Sequence, residues 1–249
     1  MTTSLSTGRA SPEVSLIIIG GGDEAGRGAV IGPLVVSVIC VSKGKEKKLA
    51  DIGVRDSKLL SSKKRAFLFD EIKSISEEVK TYKISNDEIN SAMKIGMSLN
   101  QLEAMRFAQI VDDISCDVEK IYIDSPDVLA ERFGMRISLF AKKPTRVVGV
   151  KSQGREGAKI RIISEHKADA RYPVVSGASI IAKVIRDTEM ENIEDETGVE
   201  IGSGYPGDRY TVAAIKENLK SKTLNPYIRE YWKTLDVIRQ RKMKEFEDF

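Results

Sequence analysis

Short apolar runs rich in β-branched residues alternate with segments of helical periodicity along most of this chain. The apolar runs predict strands, and the periodic segments predict amphipathic helices. Strands are expected at residues 14–22, 33–41, 82–84, 120–124, 146–150 and 159–164. Helices are expected at residues 61–79, from about 98, and at 128–140, 174–196, 210–221 and 226–246. Strands interleaved with helices favour an α/β fold in which helices flank a mixed sheet.

The composition is that of a globular chain, with 41% hydrophobic and 31% charged residues among 249. A chain of this length can bury a substantial core without disulfides. Its longest apolar runs are too short to span a bilayer, and the first 14 residues lack the apolar segment of a secretory signal. We therefore expect a cytoplasmic protein with no membrane partner and a flexible leader at residues 1–14.

The counts of cysteine and histidine restrict the chemistry. Two cysteines and one histidine are too few for a structural zinc site of cysteine and histidine ligands. A serine–histidine triad would have His166 as its single candidate base. The formal net charge of +3 permits a nucleic-acid partner but does not argue for one.

Acidic residues follow two of the predicted strands. Asp23 and Glu24 come after the first strand, and Asp124 ends the strand at 120–124. Carboxylates gathered at one sheet edge repel each other unless a cation neutralises them, and their hard oxygens suit Mg²⁺ or Mn²⁺. Taken singly, each of these residues is more often a cap or turn residue, so the cluster needs further context.

Six short motifs in order supply that context, and together they resemble type 2 ribonuclease H, most closely its archaeal form. The resemblance extends from about residue 17 to residue 235. The motifs lie at residues 22–28 (GDEAGRG), 55–58 (RDSK), 122–124 (YID), 166–169 (HKAD), 176–187 and 202–206 (GSGYP).

The resemblance implies an RNase H-like catalytic domain at residues 15–197 and a C-terminal helical extension at 198–249. It implies an endonuclease that cuts the RNA strand of RNA–DNA hybrids and the 5′ side of ribonucleotides embedded in duplex DNA. The ends would be a 5′-phosphate and a 3′-hydroxyl. Two Mg²⁺ or Mn²⁺ ions could activate water and stabilise the leaving oxygen. By resemblance, their ligands and the catalytic residues are Asp23, Glu24, Asp124 and Asp169.

The same resemblance assigns substrate contacts. The turn Gly26, Arg27 and Gly28 would recognise the ribose 2′-hydroxyl through backbone groups, and Tyr205 would pack on the following deoxyribose. Residues near substrate phosphates would be Ser57, Lys58 and Lys183. The family sometimes docks a sliding clamp through its C-terminus, so a clamp is a candidate partner of a protein expected to be monomeric.

Three positions depart from the family pattern: Gly22 replaces a branched aliphatic residue, Leu59 a lysine and Gly177 an alanine. Gly22 adjoins the acidic pair, so we expect it to loosen the site or lower stability by about 1 kcal/mol. Beyond these positions, Asp187 is interpreted as an ion-pair residue and Trp232 as a core residue.

Two other functions remain open at this point. One is a duplex-binding protein of the same fold with impaired turnover, for which Gly22 is the only sequence hint. The other is a nucleotide-binding phosphotransferase that uses residues 20–28 as a phosphate loop. That loop lacks the Gly-Lys-Ser/Thr ending of a P-loop and would face phosphates with acidic side chains, which disfavours the second alternative.

Overall fold

The computed structural model describes residues 16–54, 60–150, 156–218 and 223–238. The predicted leader, the motif at 55–58 and Leu59 lie outside these ranges. A six-stranded sheet with the order β3-β2-β1-β4-β6-β5 forms the centre of the protein. Its strands are β1 (Ile18–Ala25), β2 (Leu34–Ser42), β3 (Glu78–Ile84), β4 (Val118–Asp124), β5 (Thr145–Val147) and β6 (Ile160–Glu165). The predicted mixed α/β fold is confirmed.

Eight α-helices that both begin and end within the described ranges surround or extend the sheet, and residues 233–238 are also helical. The eight are α1 (Glu46–Asp51), α2 (Ser62–Ile75), α3 (Asn86–Lys94), α4 (Leu99–Asp113), α5 (Ala130–Phe140), α6 (Ala168–Arg171), α7 (Pro173–Thr197) and α8 (Arg209–Glu217). None of these helices is both long and apolar enough to cross a membrane.

The two halves of the sheet differ in strand direction. β1, β2 and β3 form an antiparallel meander, whereas β1, β4, β6 and β5 pair in parallel. Parallel neighbours have their carboxyl ends at the same edge, which is where ligand sites form in open α/β sheets. The acidic ends of β1 and β4 therefore lie side by side.

Both faces of the sheet carry an apolar core. On one face, side chains of α3, α4 and α5 pack with alternate residues of the strands, including Val36, Val38 and Ile121. On the other face, α1, α2 and α7 pack with residues such as Ile39 and Val41. The alternation of side chains along β2 places its neighbouring residues on opposite faces, and so supplies both cores.

The C-terminal extension shares a third apolar cluster with α7. Met190 and Ile193 of α7 pack with Ile201, Ile215, Leu224 and Leu235. Val30 and Ile31, from the segment between β1 and β2, belong to the same cluster. The extension is thus packed against the segment that follows the acidic end of β1.

Several predicted bounds were wrong. The helix predicted at 61–79 ends at Ile75, and β3 begins at Glu78, where pairing with β2 takes over. Of the helix predicted at 226–246, the first part is instead a 3₁₀ turn at Asn225–Tyr227 and an isolated bridge from Ile228 to Ile31. Residues 233–238 are helical as predicted, and residues 239–246 lie outside the described ranges. Pairing with residues 30–32 occupies backbone groups that a helix would bond internally. Helices α1, α3 and α6 were not predicted.

Candidate active site

The carboxyl ends of β1 and β4 bring three predicted site residues together. Asp23 and Glu24 lie within β1, which extends into the glycine-rich segment predicted as a turn, because its pairing with β2 continues to Ala25. Asp124 ends the neighbouring strand β4. The Asp23 carboxylate accepts the Glu24 backbone N–H at 2.8 Å. Its charge repels that of Asp124.

The fourth carboxylate, Asp169, comes from the junction between β6 and α6. Lys167 has a left-handed backbone, with φ 56° and ψ 37°, and begins α6 by turning the chain sharply after β6. A non-glycine residue in this region is strained, and such strain is concentrated at functional sites. The turn lets the Ala168 N–H donate to Asp124 Oδ1 at 2.8 Å. Asp169, the next residue, is buried, and its carbonyl accepts a hydrogen bond from Ser176 of α7.

Burial makes the acidic pair on β1 hard to ionise. The pKa of Asp23 is raised from 3.8 to about 6, mainly by desolvation and further by Asp124, against a hydrogen bond from Ser179. Desolvation and the neighbouring Asp23 raise the pKa of Glu24 well above its ordinary value. A cation between these groups would offset the cause of both shifts.

The donor set suits a divalent cation, although the side chains do not enclose one. Glu24 Oε2 is buried with no hydrogen-bond partner, as expected for an oxygen whose partner would be an ion. Across the described residues, no group of three or more histidine, cysteine, aspartate or glutamate side chains is close enough together to hold a metal. The all-oxygen chemistry of the carboxylates fits Mg²⁺ or Mn²⁺.

A cleft of about 300 Å³ opens beside Glu24. The residues that line it come from β1, the following turn, helices α2 and α7 and the loop before α8: Glu24, Ala25, Gly26, Arg27, Gly28, Arg65, Lys183, Arg186, Asp187 and Tyr205. Four of these residues are cationic, although the Arg27 guanidinium bonds to Glu103 and Asn100 and Arg65 pairs with Asp187. A cleft that combines carboxylates with cations suits a phosphate backbone.

The turn after β1 places backbone groups in this cleft and directs its charged side chain elsewhere. Gly26 has φ +91°, and a Cβ there would lie 2.3 Å from Arg186 Nε, so this position requires glycine. A Cβ on Gly28 would meet only the Tyr205 ring, at 3.7 Å. The guanidinium of Arg27 bonds to Glu103 and Asn100 of α4. Arg27 is therefore available to a substrate through its backbone.

Tyr205 stands opposite the turn, on the loop before α8. The residue is 38% exposed, and the Arg186 guanidinium lies 4.9 Å from its ring centroid. The Gly204 carbonyl accepts hydrogen bonds from the N–H groups of Val30 (2.8 Å) and Ile31 (3.2 Å). The Tyr205 loop is thus joined directly to the segment that follows the turn after β1.

The other predicted residues have distinct positions. Lys183 lines the cleft, and its Nζ donates to Ser179 Oγ at 2.7 Å. Ser57 and Lys58 lie outside the described residues. Asp187 forms an ion pair with Arg65 at 2.6 Å, which confirms that interpretation. His166 Nε2 lies 2.7 Å from the Asp127 carbonyl oxygen, to which it donates, and Trp232 packs against two of the apolar clusters, as expected.

Comparison with known proteins assigns the family. The family model described as ribonuclease HII matches residues 20–235. The chain belongs to the ribonuclease HII family. It is 40% identical over 223 residues to ribonuclease HII of Pyrococcus furiosus, covering 89% of this chain and 91% of that protein. The resemblance in the six motifs is confirmed, and the chain is accordingly a ribonuclease H, a nuclease that acts by hydrolysis.

Solved structures of the ribonuclease HII family share the fold. The chain is similar to ribonuclease H2 from Pyrococcus horikoshii, with a TM-score of 0.76 and 37% identity over 92% of this chain and all of that one. It is also similar to a structure of the PCNA:RNase HII complex from Archaeoglobus fulgidus, with a TM-score of 0.75 and 35% identity over the same shares.

The departure at Gly22 from the ribonuclease HII pattern leaves no room for a side chain. Gly22 pairs with Val38 on one side and Ile123 on the other. A Cβ there would lie 2.6 Å from Ile123 Cδ1 and 3.0 Å from Phe107 Cε1, so neighbouring side chains already fill the space. The strand that carries Asp23 is paired on both sides, and nothing in it indicates the expected loosening.

Sequence reasoning missed three arginines at this ribonuclease HII site. Arg65 and Arg186 line the cleft, and Arg229 lies beneath the turn after β1. Arg186 directly precedes Asp187 in a recognised motif, so a search for cations near that motif would have found it. Arg229 has no comparable signal, because its contacts join residues about 200 positions apart.

Proposed function

We propose that this ribonuclease HII hydrolyses the RNA strand of RNA–DNA hybrids and cuts on the 5′ side of single ribonucleotides in duplex DNA. The products would carry a 5′-phosphate and a 3′-hydroxyl. The observation that carries the proposal is that one cleft contains both Glu24 of the acidic edge and the two elements that could distinguish sugars, the turn at Gly26–Gly28 and Tyr205.

The carboxylates would hold divalent ions. Asp23, Glu24, Asp124 and Asp169 are the residues that would bind them, and the buried oxygen of Glu24 without a hydrogen-bond partner supports this assignment. Bound Mg²⁺ or Mn²⁺ would supply an activated water and stabilise the charge on the leaving oxygen. Among the protein groups, Ser179 orients Asp23, and the Ala168 N–H orients Asp124.

The turn and Tyr205 would recognise the junction at which a ribonucleotide is followed by a deoxyribonucleotide. Backbone groups of Gly26–Gly28 can hydrogen-bond a 2′-hydroxyl, the group that distinguishes RNA from DNA. The exposed part of Tyr205, beside Gly28, would pack on the next sugar, where an added 2′-hydroxyl would crowd the ring. Lys183, with Ser57 and Lys58, would meet phosphates.

The test is cleavage of a DNA duplex with one ribonucleotide, over a range of Mg²⁺ and Mn²⁺ concentrations. We expect a single cut on the 5′ side of the ribonucleotide, no cut in the all-DNA duplex, and no cut in EDTA. Ligation and phosphatase treatment of the fragments identify their ends. Cleavage that persists in EDTA would contradict the metal assignment, and cleavage of the all-DNA duplex would contradict sugar recognition.

Single-turnover measurement separates this function from its alternative, a duplex-binding protein with impaired turnover. With enzyme in excess over duplex, an active enzyme converts the bound substrate to product. Binding without product formation at saturating metal would favour the alternative. The closed packing around Gly22 speaks against it.

A sliding clamp is the protein partner we propose, because the Archaeoglobus relative was solved in a complex with PCNA. The C-terminal residues 239–249, where such contact was expected, lie outside the described ranges. Co-elution of the chain with an archaeal PCNA, compared with a chain ending at residue 238, tests this. The monomeric state and cytoplasmic location stay predictions.

A further inference from the structure

We infer that Arg229 is a positioning residue, which fixes the orientation of the Arg27–Gly28 peptide so that the Gly28 N–H is presented for ribose recognition. This inference deepens the proposed function and rests on it. The residue belongs to the C-terminal extension, and none of the sequence motifs includes it.

Arg229 is fully buried beneath the turn, and its guanidinium donates to backbone oxygens there. Its Nη1 donates to the Arg27 carbonyl at 2.9 Å, while Nε and Nη2 donate to the Gly32 carbonyl at 3.1 and 2.9 Å. No carboxylate of the described residues forms an ion pair with it. Arg229 therefore links the centre of the turn after β1 to Gly32, further along the same segment.

A buried guanidinium without a carboxylate carries a large desolvation cost. Burial, and then repulsion from Arg186 and Arg27, lowers the pKa of Arg229 to about 9, while Tyr205 acts in the opposite direction. The ring of Trp232 lies 5.0 Å from the guanidinium and lessens this cost. An apolar side chain would fill the same space without that cost, so we attribute the role of Arg229 to its hydrogen-bond donors.

The guanidinium of Arg229 bonds to the central peptide of the turn, the one whose orientation can change. Ala29 N donates to Gly26 O at 3.2 Å, which closes a turn with Arg27 and Gly28 at its centre. The central peptide of such a turn has two orientations, and a glycine in the third position permits both. Gly28 does not have a positive φ, so one of the two orientations is present. The hydrogen bond from Arg229 to the Arg27 carbonyl stabilises that orientation.

Peptide planarity carries this constraint to Gly28. In a planar trans peptide, the C=O and the following N–H point in opposite directions. Because the Arg27 carbonyl points at the buried Arg229, the Gly28 N–H points away from it, on the side open to a sugar. The backbone of Arg229 also donates to the Val30 carbonyl at 2.9 Å, which fixes the arginine relative to the turn.

The experiment compares the affinity of the full-length protein for two duplexes in EDTA, where no cleavage occurs. One duplex contains a single ribonucleotide, and the other is its all-DNA counterpart. We expect the parent to prefer the ribonucleotide by about tenfold, the value of one satisfied hydrogen bond. Arg229→Met should reduce the preference to near one and leave the all-DNA affinity within about threefold. Arg229→Lys, which keeps the charge and a single donor nitrogen, should retain part of the preference.

The matched control is Asp112→Ala. Asp112, like Arg229, makes three side-chain hydrogen bonds to the backbone, in this case by accepting from the N–H groups of Lys142 and Lys143, but it lies outside the cleft. It should lower thermal stability and keep the parent's preference, which separates a loss of positioning from a loss of stability.

Three outcomes overturn the inference. A parent-like preference in Arg229→Met removes the positioning role and leaves the proposed function intact. Should Arg229→Met not fold, the same comparison is made with Arg229→Gln, which removes the charge and cannot bond both carbonyls, and a parent-like preference in that variant has the same meaning. Equal affinity of the parent for both duplexes, together with no cleavage in Mg²⁺ or Mn²⁺, overturns the proposed function as well.

Discussion

The acidic edge and the sugar-reading side, the name used here for the turn at Gly26–Gly28 and Tyr205 with the role proposed for them, are built in opposite ways. At the acidic edge, Asp23, Glu24 and Asp124 lie on two hydrogen-bonded neighbouring strands, within a few residues of where pairing ends. The sugar-reading side is assembled from residues 26–32, 203–205 and 227–229, which long-range hydrogen bonds bring together.

This difference separates catalysis from selectivity. Local pairing fixes the strand ends, so the carboxylates depend little on the C-terminal extension. The turn and Tyr205 depend on the extension directly, because Gly32 N donates to the Tyr227 carbonyl and the Arg229 guanidinium donates to the Arg27 carbonyl. Changes in the extension should therefore alter substrate choice before they alter chemistry.

The largest effect should follow from a change at the acidic edge. Asp124→Asn should abolish cleavage of every substrate and leave duplex affinity nearly unchanged, because the amide keeps the shape but loses the charge that holds a cation. Single-turnover rates with saturating Mg²⁺ measure this.

The matched control at the same edge is Glu165→Gln. Glu165 is aligned with Asp124 on the adjacent strand, but its carboxylate is engaged by Arg171 at 2.7 Å. It should keep near-parent turnover. Substantial turnover in Asp124→Asn would rule out the four-carboxylate site.

A change on the sugar-reading side should be selective. Tyr205→Ala should lower kcat/KM for a single embedded ribonucleotide by about tenfold or more, because the ring loses its contact with the next sugar. Binding of the duplex should change far less. Comparison of cleavage rates with equilibrium affinities checks both expectations.

Tyr210 offers a close control for this residue. It is similarly exposed, and an arginine, Arg209, lies 4.7 Å from its ring centroid, but it is outside the cleft. Tyr210→Ala should keep parent kinetics. If Tyr205→Ala cuts the single-ribonucleotide duplex as fast as the parent, junction reading by Tyr205 is excluded.

Alanine substitutions of the two glycines of the turn should have different effects on stability and cleavage. Gly26→Ala should lower the free energy of unfolding by about 2 kcal/mol or more, because of its positive φ and the clash with Arg186. Gly28→Ala should change stability by less than about 1 kcal/mol and still impair all ribonucleotide substrates, since its methyl group would face the sugar. Urea unfolding and cleavage assays distinguish the two, and parent activity in Gly28→Ala would disprove the close approach of a sugar.

The smallest expected effect is on how the free energy of unfolding changes with pH. Burial raises the pKa of Asp23 to about 6 in the folded state, so between pH 4 and 6 the metal-free folded protein binds one more proton than the unfolded chain does. The contribution of this proton to the free energy of unfolding is lost as pH rises through 6. Asp23→Asn removes the titration, so in EDTA it should match the parent near pH 4 and exceed it by about 1–2 kcal/mol at pH 7. Urea unfolding at both values measures this. A constant difference would mean that burial does not raise this pKa.

The sequence predicted the acidic edge well because its signals are local. Strand periodicity and the position of Asp124 at the end of its strand depend on neighbouring residues alone, and the cap of α2 is Ser61, the residue directly before the helix. Helix α7 was predicted to within one residue at each end, because its apolar stripe is long and begins at a proline.

The residues of the sugar-reading side could be named by resemblance, but local sequence patterns did not predict how they assemble. Nothing near residue 229 indicates that its backbone pairs with residue 30, and the helical pattern predicted there was overridden by that pairing. The ion pair of Arg27 with the buried Glu103 was equally invisible, because it joins residues 76 positions apart. Tertiary contacts decided both, whereas local propensity predicted the existence of the strands and pairing with neighbouring strands set the limits of β1 and β3.

The packing around Gly22 also constrains which residues this position accepts. The space that a branched residue would need is filled by Ile123 and Phe107, one from the adjacent strand and one from α4. A branched aliphatic residue at position 22 would therefore require the Ile123 side chain to leave its present position and Phe107 to shift. The side chains packed around Gly22 thus couple this position, next to the acidic pair, to residues of β4 and α4.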